Sequence, residues 1–289
     1  MITIKVPATS ANIGLGFDTL GMALTMYSTF TFEESEELKF IGFDDNFNNE
    51  NNLVYTSFVK TLNILNKNVP RVTICFNSEI PISRGLGSSA TCVVAGVFGA
   101  FLISNTEIDK NKILQIASEI EGHPDNVAPA IFGNLICSCE INKSIHIKNI
   151  DVDEKFNFIA IIPKYKISTN DARSVMPKVI SISDAINNLS KLPFLLNCFE
   201  NYNTKNLKNI LNDKIHEPYR KNLIKDYDFI KNTCESIDSL GFFISGSGST
   251  LINILENKNN FNKINNILKN DFELKLLKID KVGTIYYVR

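Results

Sequence analysis

The chain has no excess of charge of either sign. Its 30 Lys and Arg residues stand against 31 Asp and Glu, a formal charge of -1. A protein that binds nucleic-acid backbone carries a basic excess or stripe, so nucleic acid is excluded as a main partner. The lysines between Lys205 and Lys231 are interleaved with Asp, Glu and Asn and read as solvated helical faces. The 6 cysteines (Cys75, Cys92, Cys137, Cys139, Cys198 and Cys234) contain no CxxC pair and sit mostly in apolar stretches, which fits reduced thiols. Cys137 and Cys139 would share one face of a strand, but no further ligands lie near them for a metal. The chain opens on the strand-like Ile2 to Val6 with no basic, apolar leader. No apolar run approaches membrane-spanning length, so no membrane partner is expected and a cytoplasmic location is. No internal repeat or low-complexity tract interrupts it. Self-association into a homo-oligomer is left open.

What is present suits a globular protein. With 289 residues and 44% hydrophobic content, the chain can bury the core of one large domain or two ordinary ones. Thr25 to Glu33 alternates in the manner of a strand, with a hairpin partner expected at Leu38 to Phe43. Asp44 to Asn52 is a polar loop, and Val54, Phe58, Thr61 and Leu65 follow at helical spacing. Ile113, Ile116, Ala117 and Ile120 mark another amphipathic helix, which carries Glu119 and Glu121 at its end. A charged loop at residues 142–155 divides the chain into expected domains 1–150 and 151–289. Helices and strands mix without strict βαβ alternation, so the fold class is α+β.

One stretch organises the rest: Pro81-Ile82-Ser83-Arg84-Gly85-Leu86-Gly87-Ser88-Ser89-Ala90-Thr91 joins a strand, Val72 to Phe76, to an apolar helix from Cys92 to Leu102. Gly85 and Gly87 let backbone N–H groups approach a ligand, Ser88 and Ser89 can cap the helix or bind metal and phosphate oxygens, and the helix dipole favours an anion. No Gly-Lys-Ser/Thr follows the glycines, so this is not a Walker A loop. By itself a Gly-x-Gly is as well read as a turn capping an ordinary buried helix.

The longer string resembles the phosphate-binding motif of the GHMP kinases, the family named for galactokinase, homoserine kinase, mevalonate kinase and phosphomevalonate kinase. Two further strings, Pro7 to Asp18 and Glu121 to Ala130, are similar to the homoserine kinases within it. The likeness runs in family order from Val6 to about Thr250. It implies a two-domain fold, with an N-terminal ATP-binding domain and a smaller ferredoxin-like C-terminal domain. It also implies an ATP- and Mg²⁺-dependent transfer of phosphate to the side-chain hydroxyl of L-homoserine, on the way to threonine. The alternatives are another small carboxylate-bearing alcohol such as mevalonate, or an inactive nucleotide-binding protein on the same scaffold.

Phosphoryl transfer requires a phosphate cradle, a divalent cation and an aligned acceptor hydroxyl. The resemblance assigns Pro81 to Thr91 to ATP. A Ser hydroxyl with one carboxylate suits Mg²⁺, and Ser88 with Glu121 is expected, Glu119 being the competing carboxylate. An amino-acid acceptor needs guanidinium groups for its carboxylate and an anion for its ammonium. By resemblance these are Arg173 and Arg220, with Thr169 beside them, while Asp18 and Asn12 hold the ammonium and hydroxyl. His123, Asp125 and Asn126 form the catalytic group: Asn126 is expected to orient the hydroxyl with no dedicated base, Asp125 as base is the competing reading, and His123 is a substrate contact or a loop hydrogen-bonder. Ser245 to Thr250 resembles the family's C-terminal glycine motif, with Ser249 where Pro is usual; Leu15 likewise replaces a frequent Pro. Asn52 to Tyr55 is the candidate adenine contact.

Overall fold

The computed structural model describes residues 1–289. Strand β1 (Ile2–Ala11) and the long β2 (Leu20–Glu34) form its spine, paired antiparallel with Ile4 opposite Phe30. The alternation seen in sequence sets the register: Met26, Ser28, Phe30 and Phe32 point inward and Thr25, Tyr27, Thr29 and Thr31 outward. β2 is long enough to take two partners on its other edge, β4 (Val72–Ser78) along one half and β5 (Leu135–Ile141) along the other. β6 (Ser144–Ile150) closes a hairpin with β5. The short β3 (Lys39–Ile41) runs parallel to β4. It is not the hairpin partner of β2 that the sequence suggested, because β1 and β4 already occupy both edges of β2 in that region.

Four helices cover the inner face: α1 (Leu53–Ile64), α2 (Ser88–Ile103), α3 (Lys110–Glu121) and α4 (Pro124–Phe132). α2 is the central one, buried along almost all its length between α1 and the sheet. Its uniformly apolar sequence therefore reads as a core helix.

A second, four-stranded antiparallel sheet runs in the order β10-β7-β9-β8, from β7 (Asn157–Pro163), β8 (Ser239–Ile244), β9 (Leu251–Leu255) and β10 (Phe272–Leu277). The helices α5 (Thr169–Ser174), α6 (Ile182–Asn201), α7 (Leu207–Ile210) and α8 (Glu217–Arg220) lie between β7 and β8 in the chain. The stretch 142–155, expected to be a charged loop, instead holds β6 over Ser144–Ile150, which pairs with β5. The division into 1–150 and 151–289 needs correcting at its far end: β11 (Ile285–Val288) returns to pair with β1 in the first sheet. Moreover, one apolar cluster joins Ala8, Leu20 and Met22 of the first half to Phe158, Phe199 and Ile252 of the second, so the halves share a core. No helix is long and apolar enough to cross a membrane.

Candidate active site

A cavity of about 390 Å³ opens where the two halves meet. The phosphate loop forms its floor. Ser83, Gly85 and Gly87 adopt positive φ (57°, 78° and 71°), and Gly87 is the residue from which α2 starts. A Cβ at Gly85 would lie 2.2 Å from the Ser245 carbonyl oxygen, and one at Gly87 2.0 Å from Thr9 Oγ1. The loop is thus clamped between β1 and the second glycine loop: Thr9 N donates to Leu86 O, and Thr250 N to Arg84 O. This curl leaves the first amides of α2 facing the cavity, where backbone N–H groups and the helix dipole receive an anion.

Not all of the stretch from Pro81 to Thr91 does so. Ser83, Gly85, Gly87, Ser88 and Ser89 line the cavity. Arg84 turns away, its guanidinium donating to the Ile82, Pro163 and Lys164 carbonyls and thereby fastening the loop to the end of β7. Leu86 and Ala90 are buried, and Thr91 returns a hydrogen bond to Ser88 O. Pro81 and Ile82 complete the turn outside the cavity lining.

The two candidate carboxylates separate cleanly. α3 ends at Gly122, whose φ of 91° turns the chain, and this places Glu121 over the start of α2. Ser89 Oγ donates to Glu121 Oε2 at 3.0 Å. Burial pushes the Glu121 carboxyl above its usual range, against the Ser89 bond and the nearby His123. A half-buried oxygen pair beside an anion cradle, short of positive charge, fits a hard divalent cation. Glu119 instead pairs with Lys60 at 3.2 Å on the surface. The serine differs from the expectation: Ser88 Oγ accepts from Ser83 N at 3.3 Å, and Ser89 is the hydroxyl at Glu121.

At the start of α4, His123 Nδ1 lies 2.6 Å from Asp125 Oδ1. That hydrogen bond holds the imidazole above its usual pKa, although burial opposes it. Asn126 Nδ2 donates to the same Asp125 oxygen at 3.4 Å, while its Oδ1 accepts from Thr9 Oγ1 at 2.8 Å. With its oxygen committed to Thr9, the amide presents an N–H group to the cavity.

The opposite wall carries the charged groups. Asn12 is 2% exposed and both ends of its amide are engaged: Oδ1 accepts from Asp18 N, and Nδ2 donates to Gly246 O. It therefore holds the first loop in shape while also lining the cavity. Asp18 accepts two hydrogen bonds from Arg173, at 3.2 and 3.3 Å. Thr169, at the start of α5, lines the cavity beside them. Arg220 is buried and fixed, with Nε on Ala172 O, Nη1 on Gly246 O and the guanidinium 5.0 Å above the Phe17 ring. Its remaining nitrogen makes no hydrogen bond within the chain.

Behind this wall lies a supporting layer that sequence reasoning missed. His216 is buried, bonds Gly14 O through Nε2 at 2.6 Å and stacks on Phe17. Burial lowers its pKa. Asp213 accepts from the amides of Ile215, His216 and Glu217, and Asn188 bridges Leu15 O and Asp213. Glu217 accepts from Ile244 N, and burial pushes its carboxyl up to about 8. Gly246 and Ser247 also line the cavity, and Leu53 is the only residue of Asn52 to Tyr55 to do so. The strings containing Thr9 and Gly246 were legible as motifs, but Asn126, the partner of Thr9, and Asn12, a partner of Gly246, lie more than a hundred residues from them.

A helix start with open amides, a carboxylate with a hydroxyl beside it and a wall of paired charges meet in one cavity, an arrangement suited to phosphoryl transfer. The GHMP kinases N terminal domain matches residues 52–134 and the GHMP kinases C terminal domain residues 196–274. A homoserine kinase of Clostridium botulinum is 41% identical over 291 residues, covering 99% of this chain and 98% of its own length. One from Clostridium acetobutylicum is 44% identical over 260 residues, covering 89% and 88%. The crystal structure of homoserine kinase from Cytophaga hutchinsonii matches with a TM-score of 0.87 at 25% identity, covering 99% of this chain and 97% of that one. The chain belongs to the GHMP kinase family, and is an ATP-dependent kinase.

Proposed function

We propose that the chain transfers the γ-phosphoryl group of ATP to the side-chain hydroxyl of L-homoserine, giving O-phospho-L-homoserine for threonine synthesis in the cytoplasm. The observation that carries this reading is the charged wall: Asp18, Arg173 and Arg220 border the same cavity as the cradle. A zwitterionic amino acid satisfies both signs. A neutral sugar would satisfy neither, and mevalonate has no ammonium for Asp18.

The amides of Gly85 to Ser89 hold the phosphates, with the nucleotide base toward Leu53. Ser89 and Glu121 would hold Mg²⁺, which supplies charge neutralisation on the phosphate oxygens when bound. Arg173 and Arg220 bind the acceptor carboxylate, Asp18 its ammonium, and Thr169 borders it. Asn126 donates from Nδ2 to the acceptor hydroxyl oxygen and orients it. One Asp125 oxygen is already engaged by His123 and Asn126; positioning and electrostatics, with no dedicated base, carry the reaction, as a loose transition state allows.

The test is ADP release by the purified protein with Mg-ATP, comparing L-homoserine, mevalonate, galactose, L-serine and no acceptor. Turnover confined to homoserine is the expected result. Turnover with another acceptor would discard the roles of Asp18, Arg173 and Arg220. ATP binding without turnover of any acceptor would favour an inactive scaffold.

A further inference from the structure

The Asp18–Arg173 pair joins the first loop to α5 across the cavity mouth, 155 residues apart in sequence. Both partners are the groups to which the proposed function assigns the two ends of the acceptor. They satisfy one another through two hydrogen bonds, Asp18 being 38% and Arg173 42% exposed. Any ligand that uses Arg173 must displace Asp18, and any that uses Asp18 must displace Arg173.

We infer that this ion pair is a filter that selects ligands carrying both charges. The inference rests on the proposed homoserine reading and deepens it. A zwitterion exchanges one pair for two: its carboxylate replaces Asp18 on Arg173, and its ammonium replaces Arg173 on Asp18. A ligand with only a carboxylate exchanges one pair for one and strands the Asp18 anion beside its own negative charge. A ligand with only an ammonium strands Arg173 beside Arg220. Arg220 cannot relieve this by moving, since two carbonyls and the Phe17 ring hold it. A charge stranded beside another of its own sign is unfavourable. The pair therefore acts against singly charged alcohols as well as for the amino acid, and rejection of the wrong ligand is a separate contribution to specificity.

The two contributions come apart by experiment. The probes are L-homoserine, 4-hydroxybutyrate (the same chain without the ammonium) and 3-aminopropan-1-ol (without the carboxylate). For each, kcat/KM is read from ADP release with Mg-ATP, in the wild type and in Asp18→Asn and Arg173→Gln. Asp18→Asn should lower kcat/KM for homoserine more than tenfold and raise that for 4-hydroxybutyrate about two- to fivefold, the range expected for an exposed ion pair. Arg173→Gln should do the converse, lowering homoserine and raising 3-aminopropan-1-ol. The two arms are independent, so loss of folding in one variant leaves the other. If homoserine falls while the singly charged probes stay unchanged or fall too, the residues are receptors or supports only and the filter is refuted. If the wild type does not turn over homoserine at all, the functional reading fails first and the filter with it.

Discussion

Ser89 Oγ donates to the Glu121 carboxylate across 3.0 Å, joining the first turn of α2 to the last turn of α3. Glu121→Gln keeps the size and the hydrogen bond but removes the anion. Its kcat should fall by about 10²-fold or more, with the Mg²⁺ concentration for half-maximal rate moved upward. Glu119→Gln should change neither, because Glu119 is engaged with Lys60 on the surface. A magnesium titration of both variants decides between the two carboxylates. Equal loss in the two would remove Glu121 from its assigned place.

Asp125 serves two neighbours through one oxygen, His123 and Asn126. Asp125→Asn should lower kcat by less than about 10²-fold, the smallest effect usual for removal of a general base. In the same variant the His123 imidazole should titrate at lower pH. The anionic acceptor that raises its pKa is then gone, and burial, which lowers it, remains. Proton NMR of the imidazole reads that shift directly. A larger loss of kcat with unchanged KM would make Asp125 the base.

The phosphate loop depends on two glycines for conformation and for space. Gly85→Ala should destabilise the protein by more than about 2 kcal/mol in urea unfolding, since the left-handed conformation is strained and the Ser245 carbonyl oxygen stands 2.2 Å from the new atom. Gly122→Ala has the same kind of strain but meets nothing within 4 Å, so it should cost about 1–2 kcal/mol. The difference between the two measures the packing of one glycine loop on the other.

Glu217 gives the stability of the fold a dependence on pH. Its carboxyl is raised from 4.5 to about 8 by burial. Between those values the native state holds a proton that the unfolded chain has lost, so stability falls as pH rises across the window. Below it both states are protonated, and above it both are ionised. Glu217→Gln should remove this slope, so its stability advantage over the wild type grows from pH 4.5 to 8 in denaturant titrations. A constant difference across that range would count against a protonated Glu217.

The sequence exposed those parts of the site that are local. The glycines and serines of the cradle are consecutive, and the helix that ends at Glu121 shows its period. The alternation of Thr25 to Glu33 marked the spine of the sheet. Ser89 was legible as a cradle residue but not as the partner of Glu121, because that depends on how two helices are rotated against each other. Asn12 was assigned to the ligand because its string is distinctive; that both ends of its amide are used within the protein follows from Gly246, more than two hundred residues on. The pairing of Asp18 with Arg173 was hidden for the same reason, although each was singled out. β3 misled because a short strand after a turn resembles a hairpin whichever edge it finally joins. β11 looked like the end of the second half, since nothing in Thr284 to Val288 says which sheet it completes.

That last strand has a consequence for synthesis. β1 is made first, yet the neighbour on its outer edge comes from residues 285–288. Everything between, including the whole second sheet, must leave the ribosome before that edge can close. A nascent chain of this protein therefore carries an open, strand-ready border from the time β1 emerges until β11 does.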